Sequence, residues 1–496
     1  MSRGQLGALG KLCVLVGAVL VKTVTAVTVN VDCDVAVIGG GAAGANAAVF
    51  LKDKGLEVCL FEAQKTLGGH CNTVRFTPPA GVSNPQNFVD IGVVVYGNSS
   101  YWQSAEPPLG DWTLKTDAHL ERFAPGTIKT FALSGTPSAT YRVDLAHPVG
   151  LQDATPTAAQ QQATGAAFFR FLGCLATLPW LETAGSYPDP IPPELLVPFS
   201  EFITANGFEA LVDTVFAGLL YQGGMGPFDK LTTLYALENL RRGNLLLTAT
   251  PSGMVASAGC QKIYDGIQDF LGSRVYLNAE ILSVSRPPKN KNLPSTIIVK
   301  VGGENQARQF KAAKVVIAIP QTLDNLTPFG LDARETAAFE NVRVRGYYAS
   351  AVDIAGGSLS GTTFTLVTRD RTDPLTPVIP GPRTVCAVYR ELPYGPASCY
   401  AASTEPLPSA AAKAFIEAQL ANLPPEGVAD AALSEFNSHV FQPHFTAEAL
   451  AASPSPFTVL AQLQGYRNTY HVGALLSFAE SAKVMEHAYR VVSQFF

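Results

Sequence analysis

The sequence predicts an α/β fold of two lobes, and three observations predict it. A short apolar strand runs straight into a glycine turn and a helix over residues 34–52, and a second strand ends in Glu62. Further strand-like segments return at residues 274–286 and 314–320, and a glycine-bounded segment at 465–474 leads into a C-terminal helix. The 496 residues are 47% apolar and only 15% charged, enough for a large core and too little charge for a disordered chain. A net charge of −5 with no basic run of five or more residues argues against nucleic acid as the main partner.

Residues 1–26 read as a secretory signal. Arg3 and Lys11 precede an apolar stretch at 12–21, and Val24-Thr25-Ala26 offers small residues for cleavage. Such a stretch is about half the roughly twenty residues that a bilayer-spanning helix needs, so no stable membrane span is expected. A buried strand or helix leading into the fold is the alternative. Secretion, or the lumen of the secretory pathway, is the expected location. The sequons at Asn98 and Asn325 agree with it as glycosylation sites. Eight cysteines occur, at 13, 33, 59, 71, 174, 260, 386 and 399; the seven beyond the signal lack CxxC spacing, so no metal site is expected. One or two disulfides fit an oxidising compartment, with pairing that sequence leaves open.

The strongest motif begins after Ile38. Gly39-Gly40-Gly41-Ala42-Ala43-Gly44 separates the strand Asp34-Val-Ala-Val-Ile38 from a helix-forming segment at 45–52, and residues 55–61 read as the next strand. This is GxGxxG in its strand–turn–helix–strand setting, with an acidic residue about twenty positions on. Gly39 permits the tight turn, Gly41 lets the backbone approach a pyrophosphate, and Gly44 lets the helix pack on the strand. The helix start, with Ala43 in its first turn, presents unpaired N–H groups and a partial positive charge to phosphate. Glu62 can accept hydrogen bonds from both ribose hydroxyls of an adenosine. The glycine pair Gly68-Gly69 then turns the chain back past a longer cofactor, and His70 follows it.

Together with Val89-Asp-Ile-Gly92-Val-Val-Val-Tyr96, these motifs resemble the N-terminal signature of the FAD-dependent amine oxidase and carotenoid desaturase superfamily. The resemblance implies FAD as cofactor and a Rossmann-like FAD-binding domain of the GR2 type, discontinuous in sequence, with an inserted α+β substrate-binding domain. Residues 27–96, 243–326 and 456–496 would form the first, and 97–242 and 327–455 the second. It also implies that Ile281, in the strand at 274–286, meets the adenine, and that backbone N–H groups at Gly473 and Ala474 meet the ribityl chain or pyrophosphate. The family's usual arginine after the glycine pair is His70 here, and its glycine-rich helix entry is Leu475-Leu-Ser-Phe-Ala479. Cys399 resembles a cysteine that holds flavin covalently in some amine oxidases. It lies too far before Gly473 for that role and reads as a buried structural cysteine.

In the substrate lobe, helical apolar spacing covers 158–178 and 208–220, a loop at 221–229 precedes a helix at 230–242, and an amphipathic helix covers 409–423. Proline-rich stretches at 188–193 and 373–382 mark loops or boundaries. The seven histidines are scattered and read as polar surface or capping residues, and no catalytic side chain is singled out. Within the superfamily the chain is most similar to β-cyclopiazonate dehydrogenase-like flavoenzymes of secondary metabolism. That implies dehydrogenation of a small, largely apolar substrate at a C–H beside nitrogen or an activated carbon, with an external electron acceptor such as O2. Polyenoic fatty acid isomerases share the layout, and the segment at 221–237 resembles their pocket loop. A non-catalytic binding protein on the same fold is the reading from a different class.

Overall fold

The apolar strand read at 34–38 is longer in the computed structural model, where β1 spans Val27–Ile38. The structure describes residues 27–83, 86–94, 96–97, 116–131, 140–143, 152–153, 158–216, 219–220, 223–249, 253–288, 293–304, 306–354, 362–366, 383–390, 394–421 and 431–496. The expected signal at 1–26, Asn98, Tyr221, Gln222 and the proline-rich stretch at 373–382 lie outside the described residues.

After the glycine turn come α1 (Ala42–Asp53) and β2 (Val58–Phe61), which pairs with β1 in parallel. A hairpin of β3 (Cys71–Arg75) and β4 (Phe88–Gly92) follows, then β5 (Tyr96–Gly97), α2 (Thr116–Phe123), β6 (Ile128–Phe131), β7 (Thr140–Val143), β8 (Gln152–Asp153) and α3 (Ala158–Ala176). β9 (Gly253–Ala256) pairs with both β5 and β6, and the helix Gln261–Leu271 leads into β10 (Val275–Tyr276). With β11 (Ala279–Ser285), β12 (Ser295–Val301) and β13 (Arg308–Ile317) the first sheet runs in the order β10-β2-β1-β13-β12-β11. β19 (Thr469–His471) adds in parallel to the end of β13, beside the glycine turn.

The C-terminal ends of β1 (35–38) and β13 (315–317) are buried on both faces, as a parallel sheet requires. Val35 and Val37 point into one core with Ala45, Ala48 and Val49 of α1, Ile263 and Ile267, and Met485 and Ala488 of the helix Ser481–Phe495. Ala36, Ile38, Phe61 and Phe310 point the other way, into the larger core shared with the second lobe. The second sheet, also seven-stranded, contains β14 (Val342–Ile354), β15 (Thr362–Leu366), β16 (Arg383–Arg390), β17 (Ala397–Ser403) and β18 (Ala431–Phe445). Its order is β18-β14-β17-β16-β15-β7-β8, antiparallel except at β15 and β7.

Several expected elements change in detail. The strand at 274–286 breaks in two, because Asn278 takes φ +49 and the N–H groups of Asn278 and Ala279 bond to the carbonyls of Gln64 and Glu62. The helix expected at 208–220 becomes a 3₁₀ turn at Glu209–Leu211 and a π turn at Val212–Phe216, where Phe208 and Phe216 pack edge-on to Phe171. The one expected at 230–242 starts at Thr233, since Thr232 bridges to Pro198, and it ends at Asn239 ahead of a second helix, Arg242–Ala249. α2 falls inside the segment expected for the substrate lobe, yet Leu120 and Phe123 enter the core of α1 and the helix Gln261–Leu271. Asn325 is exposed, and its amide donates to the Pro320 carbonyl.

Two disulfides join described cysteines. Cys33–Cys59 ties β1 to β2, and Cys71–Cys260 ties β3 to the start of the helix Gln261–Leu271. Cys399 is buried and disulfide-bonded, which agrees with a structural role, and Cys174 is a free thiol.

Candidate active site

At the end of β1 the chain turns through Gly39, whose φ of +102 a side chain would resist and whose N–H donates to the Phe61 carbonyl at 2.8 Å. The Gly40 N–H donates to Glu62 Oε2 at 2.6 Å, and the Gln64 N–H donates to Glu62 Oε1 at 2.7 Å. Glu62 is thus fixed against the turn, with a second lone pair on each oxygen still available. The returning Gly68 N–H bonds to the Gly40 carbonyl at 2.9 Å, bringing Gly41 and Gly69 backbone to backbone. A Cβ on Gly41 would meet only the Gly69 Cα, at 3.7 Å. A Cβ on Gly44 would instead overlap the Gly39 carbonyl oxygen and lie 2.9 Å from the Ala318 Cβ. The two glycines therefore have separate jobs: Gly41 keeps a space open and Gly44 closes a packing contact.

α1 starts at Gly41 with no side-chain cap and no acid in its first turn, so its first N–H groups have no helical acceptor. Gly473 (φ +113) stands opposite, where a Cβ would come 3.8 Å from the Ala43 Cβ. Ala474 opens the short helix Ala474–Ser477. Phe478 then takes φ +76, a conformation that favours glycine, and the helix Ser481–Phe495 begins without a side-chain cap. Ile281 is half-buried on β11, two residues after Ala279 bonds to the Glu62 carbonyl. Gln321, fully buried, donates to the Val472 carbonyl and leaves its Oε1 without a protein partner. Bare opposed glycines, an uncapped helix start, a fixed carboxylate and an orphaned amide oxygen together fit a dinucleotide laid across this cradle.

His70 behaves differently from its neighbours. Its ring packs on His439 (centroids 4.5 Å apart) and Phe441 (5.4 Å), at the seam between the two sheets. A Cβ on Gly92 would overlap the His70 carbonyl oxygen, which explains that glycine in the Asp-Ile-Gly motif. Asp90 of the same motif holds the Cys260 N–H at 3.0 Å and the Thr73 hydroxyl at 2.6 Å, a structural duty. Above the seam, Tyr347 of β14 stacks parallel to Tyr400 of β17 and lies 4.8 Å from the Phe441 ring. The loop read at 221–229 packs on this face, since a Cβ on Gly224 would press on Tyr347 and Phe441.

The histidines were expected at the surface, and here the expectation fails. None of the six described ones is exposed, and burial lowers the pKa of each, to about 4 for His70, His119, His444 and His487 and about 3 for His439 and His471. Their ring edges fill gaps between packed elements, as His119 does in bonding Asn46 Oδ1 at 2.6 Å. The aromatic face itself was not singled out from sequence; the one available signal was the loop at 221–229 that packs on it. Among the described residues no cluster of ligands could hold a metal ion, and no helix is long and apolar enough to cross a membrane.

Comparison with known proteins agrees with this geometry. Residues 37–108 match the NAD(P)-binding Rossmann-like domain. The chain is 32% identical to an uncharacterised protein, R656, of Acanthamoeba polyphaga mimivirus, over 97% of this chain and 98% of that one. It is 28% identical to the FAD-dependent oxidoreductase dpchF of Colletotrichum higginsianum (94% and 93% covered) and 26% identical to the β-cyclopiazonate dehydrogenase of Aspergillus oryzae (65% and 63%). Among solved structures, its fold is similar to a conjugated-linoleic-acid-producing fatty acid isomerase from P. acnes, with a TM-score of 0.69 at 16% identity, 94% of this chain and 99% of that one being covered. It is also similar to putrescine oxidase, with a TM-score of 0.61 at 16% identity and coverage of 94% and 99%. With the cradle built as such a cofactor requires, the chain belongs to the same family as the mimivirus protein and is an FAD-dependent oxidoreductase, with a fold similar to that of the amine oxidases.

Proposed function

We propose that the protein is a secreted or secretory-pathway dehydrogenase acting on a small, largely apolar metabolite, of the kind made in secondary metabolism. The observation that carries this reading is the cradle between Gly41 and Gly69, which adjoins, through His70, a buried sheet face of Tyr347, Tyr400 and Phe441. Gly39, Gly41, Ala43, Gly44, Glu62, Gly68, Gly69, Ile281, Gly473 and Ala474 would hold FAD. When bound, FAD supplies a two-electron acceptor for hydride. The uncapped start of the helix Ser481–Phe495 would offer partial positive charge to a flavin held nearby. The aromatic face excludes water and orients the reacting C–H bond. The substrate loses a hydride and a proton, and an external acceptor such as dioxygen takes up the two electrons. Buried disulfides support an oxidising compartment, and relatives among fungal oxidoreductases support the metabolic setting.

A second reading, isomerisation of a double bond in a polyunsaturated fatty acid, draws on the fold shared with the fatty acid isomerase over nearly the whole of both chains. One experiment separates the readings. The purified protein is made anaerobic and mixed with a panel of small apolar metabolites, following flavin absorbance and product mass. Bleaching that persists until oxygen is admitted, with a product two mass units lighter, is the expected result. Turnover without oxygen and without mass change selects the isomerase. A protein that stays colourless after incubation with FAD overturns both.

A further inference from the structure

Among the described residues, Arg345 is a buried cation with no acid beside it. It lies on β14, 4% exposed, and its Nη1 donates to the Gly226 carbonyl at 3.2 Å while its Nε has no partner. The other buried cations among the described residues are matched: Arg241 meets Glu480 and Glu182, Arg286 meets Glu335, and Lys483 meets Glu238. The acidic group felt by Arg345 is only a tyrosine, Tyr235, whose hydroxyl oxygen accepts from the Phe445 N–H. A buried guanidinium left unpaired costs several kcal/mol, so a fold that keeps one has a use for it.

A second polar group stands unpartnered on the strand paired with that of Arg345. Gln442 is 2% exposed, and neither its Nε2 nor its Oε1 has a partner. Gln442 sits where β18 carries an extra residue: Arg343 pairs with His444 but Arg345 pairs with Phe441, so Gln442 and Pro443 share one place in the register. The bulge puts Gln442 at φ +43, and its carbonyl accepts from His444 Nδ1 at 2.8 Å. Burial and the nearby guanidinium keep His444 neutral, with a pKa of about 4.

The location gives this pair its meaning. Arg345 and Phe441 are register partners, as are Tyr347 and His439, so the four side chains share one face of the sheet. That face reaches the cradle through His70, next to Gly69. Two residues along a strand are about 7 Å, so the guanidinium stands one aromatic ring beyond Tyr347. We infer that Arg345, assisted by Gln442, binds the carboxylate of an apolar acid whose body crosses Tyr347 and Phe441 toward the flavin. The planar fork of a guanidinium takes a carboxylate through two parallel hydrogen bonds, and the Gln442 amide N–H can add a third. This inference rests on the flavoenzyme reading above and names its substrate class.

The test uses the flavin-loaded protein and its visible spectrum. Straight-chain carboxylates from hexanoate to hexadecanoate are titrated beside their methyl esters, which keep the apolar body and lose the charge. Acids are expected to bind at least about tenfold tighter than esters, the usual worth of a charge-assisted hydrogen bond. Arg345→Met should erase that preference while leaving ester affinity in place, and Gln442→Leu should reduce it in part. Equal affinity for acid and ester across the series, or an undiminished preference in Arg345→Met, overturns the inference. Should Arg345→Met fail to keep its flavin, Gln442→Leu decides, an unchanged preference there being fatal. A colourless protein would instead defeat the flavoenzyme reading, whereas a yellow one indifferent to charge defeats only this proposal.

Discussion

The cradle and the aromatic face do adjacent work and are encoded in opposite ways. The cradle is made mostly of backbone: Gly39, Gly40, Gly41, Gly68 and Gly69 supply N–H groups, carbonyls and space, and its fixed carboxylate, Glu62, lies between the two glycine runs. The face is made of side chains from three strands, Tyr347, Tyr400 and Phe441, brought together by register across a mixed sheet. A site built by leaving side chains out can be read over thirty residues of sequence. One built by placing them cannot be read until the pairing is known.

The largest expected effect on flavin retention tests whether the cradle's glycines divide as the geometry says. Gly44→Val drives a branched side chain into the Gly39 carbonyl and Ala318, separating α1 from the sheet. It should cost about 3 kcal/mol or more and give little folded protein. Gly41→Val, at an ordinary φ of −68 and with only the Gly69 Cα in reach, should fold and melt within about 0.5 kcal/mol of the unmodified apoprotein while failing to retain flavin. Thermal melts and flavin absorbance measure both; equal destabilisation would erase the distinction between them.

A second test asks how local the cradle really is. Cys71 lies two residues beyond the glycine pair, and its disulfide to Cys260 closes a loop of 189 residues. The bridged helix also steadies the loop, since Gln261 Nε2 donates to the Leu67 carbonyl at 3.0 Å and Tyr264 packs on Gly68. Replacing both cysteines by serine should cost about 5 kcal/mol by loop entropy, against about 3.5 kcal/mol for the 26-residue loop of Cys33–Cys59. Chemical denaturation of the two double variants gives the comparison. Faster flavin release from the Cys71/Cys260 variant alone would show that the cradle leans on a contact its motif does not contain.

Acid should loosen the seam where the regions meet. Burial lowers His70 to about 4 and His439 to about 3, the latter further opposed by charge on His70. An unfolded histidine titrates near 6.5, so between that pH and the folded value only the unfolded chain gains the proton. The stabilising contribution is therefore complete above pH 6.5 and is lost as pH falls toward 4 and then 3, at up to about 1.4 kcal/mol per pH unit for each ring. Melting temperature should be flat from pH 7 to 8 and fall steeply by pH 5. His439→Phe should make that fall shallower; an unchanged slope would mean the seam does not carry the titration.

What the sequence disclosed follows the same division. The strand, turn, helix and acid at 34–62 were legible because each depends on its own residue type, whereas Gly473 was reached only through the family resemblance. The histidines and the split strand at 275–285 were not, because burial and the hydrogen bonds of Asn278 and Ala279 come from segments far away in sequence. The aromatic face was hidden for a further reason. Val342-Arg-Val-Arg345 alternates as a half-exposed strand would, and nothing in that alternation says where exposure ends.

Those two arginines supply the smallest expected effect. Arg343 and Arg345 point to the same side of β14, yet Arg343 is exposed and donates to the carbonyls of Glu340 and Val342, while Arg345 is covered by the loop at 223–228 and the β18 bulge. An exposed cation bonded to its neighbours' backbone contributes little, so Arg343→Met should shift stability by less than about 0.5 kcal/mol. It should also leave the acid-over-ester preference of the flavoprotein intact, measured in the same titrations as Arg345→Met. If Arg343→Met weakened acid binding as much as Arg345→Met, the effect would be one of general positive charge on the strand, and the buried fork would lose its special standing. If only Arg345 responds, a bulge of one residue in the partner strand separates a ligand-binding arginine from a surface one, two positions apart in a repeat that spells them alike.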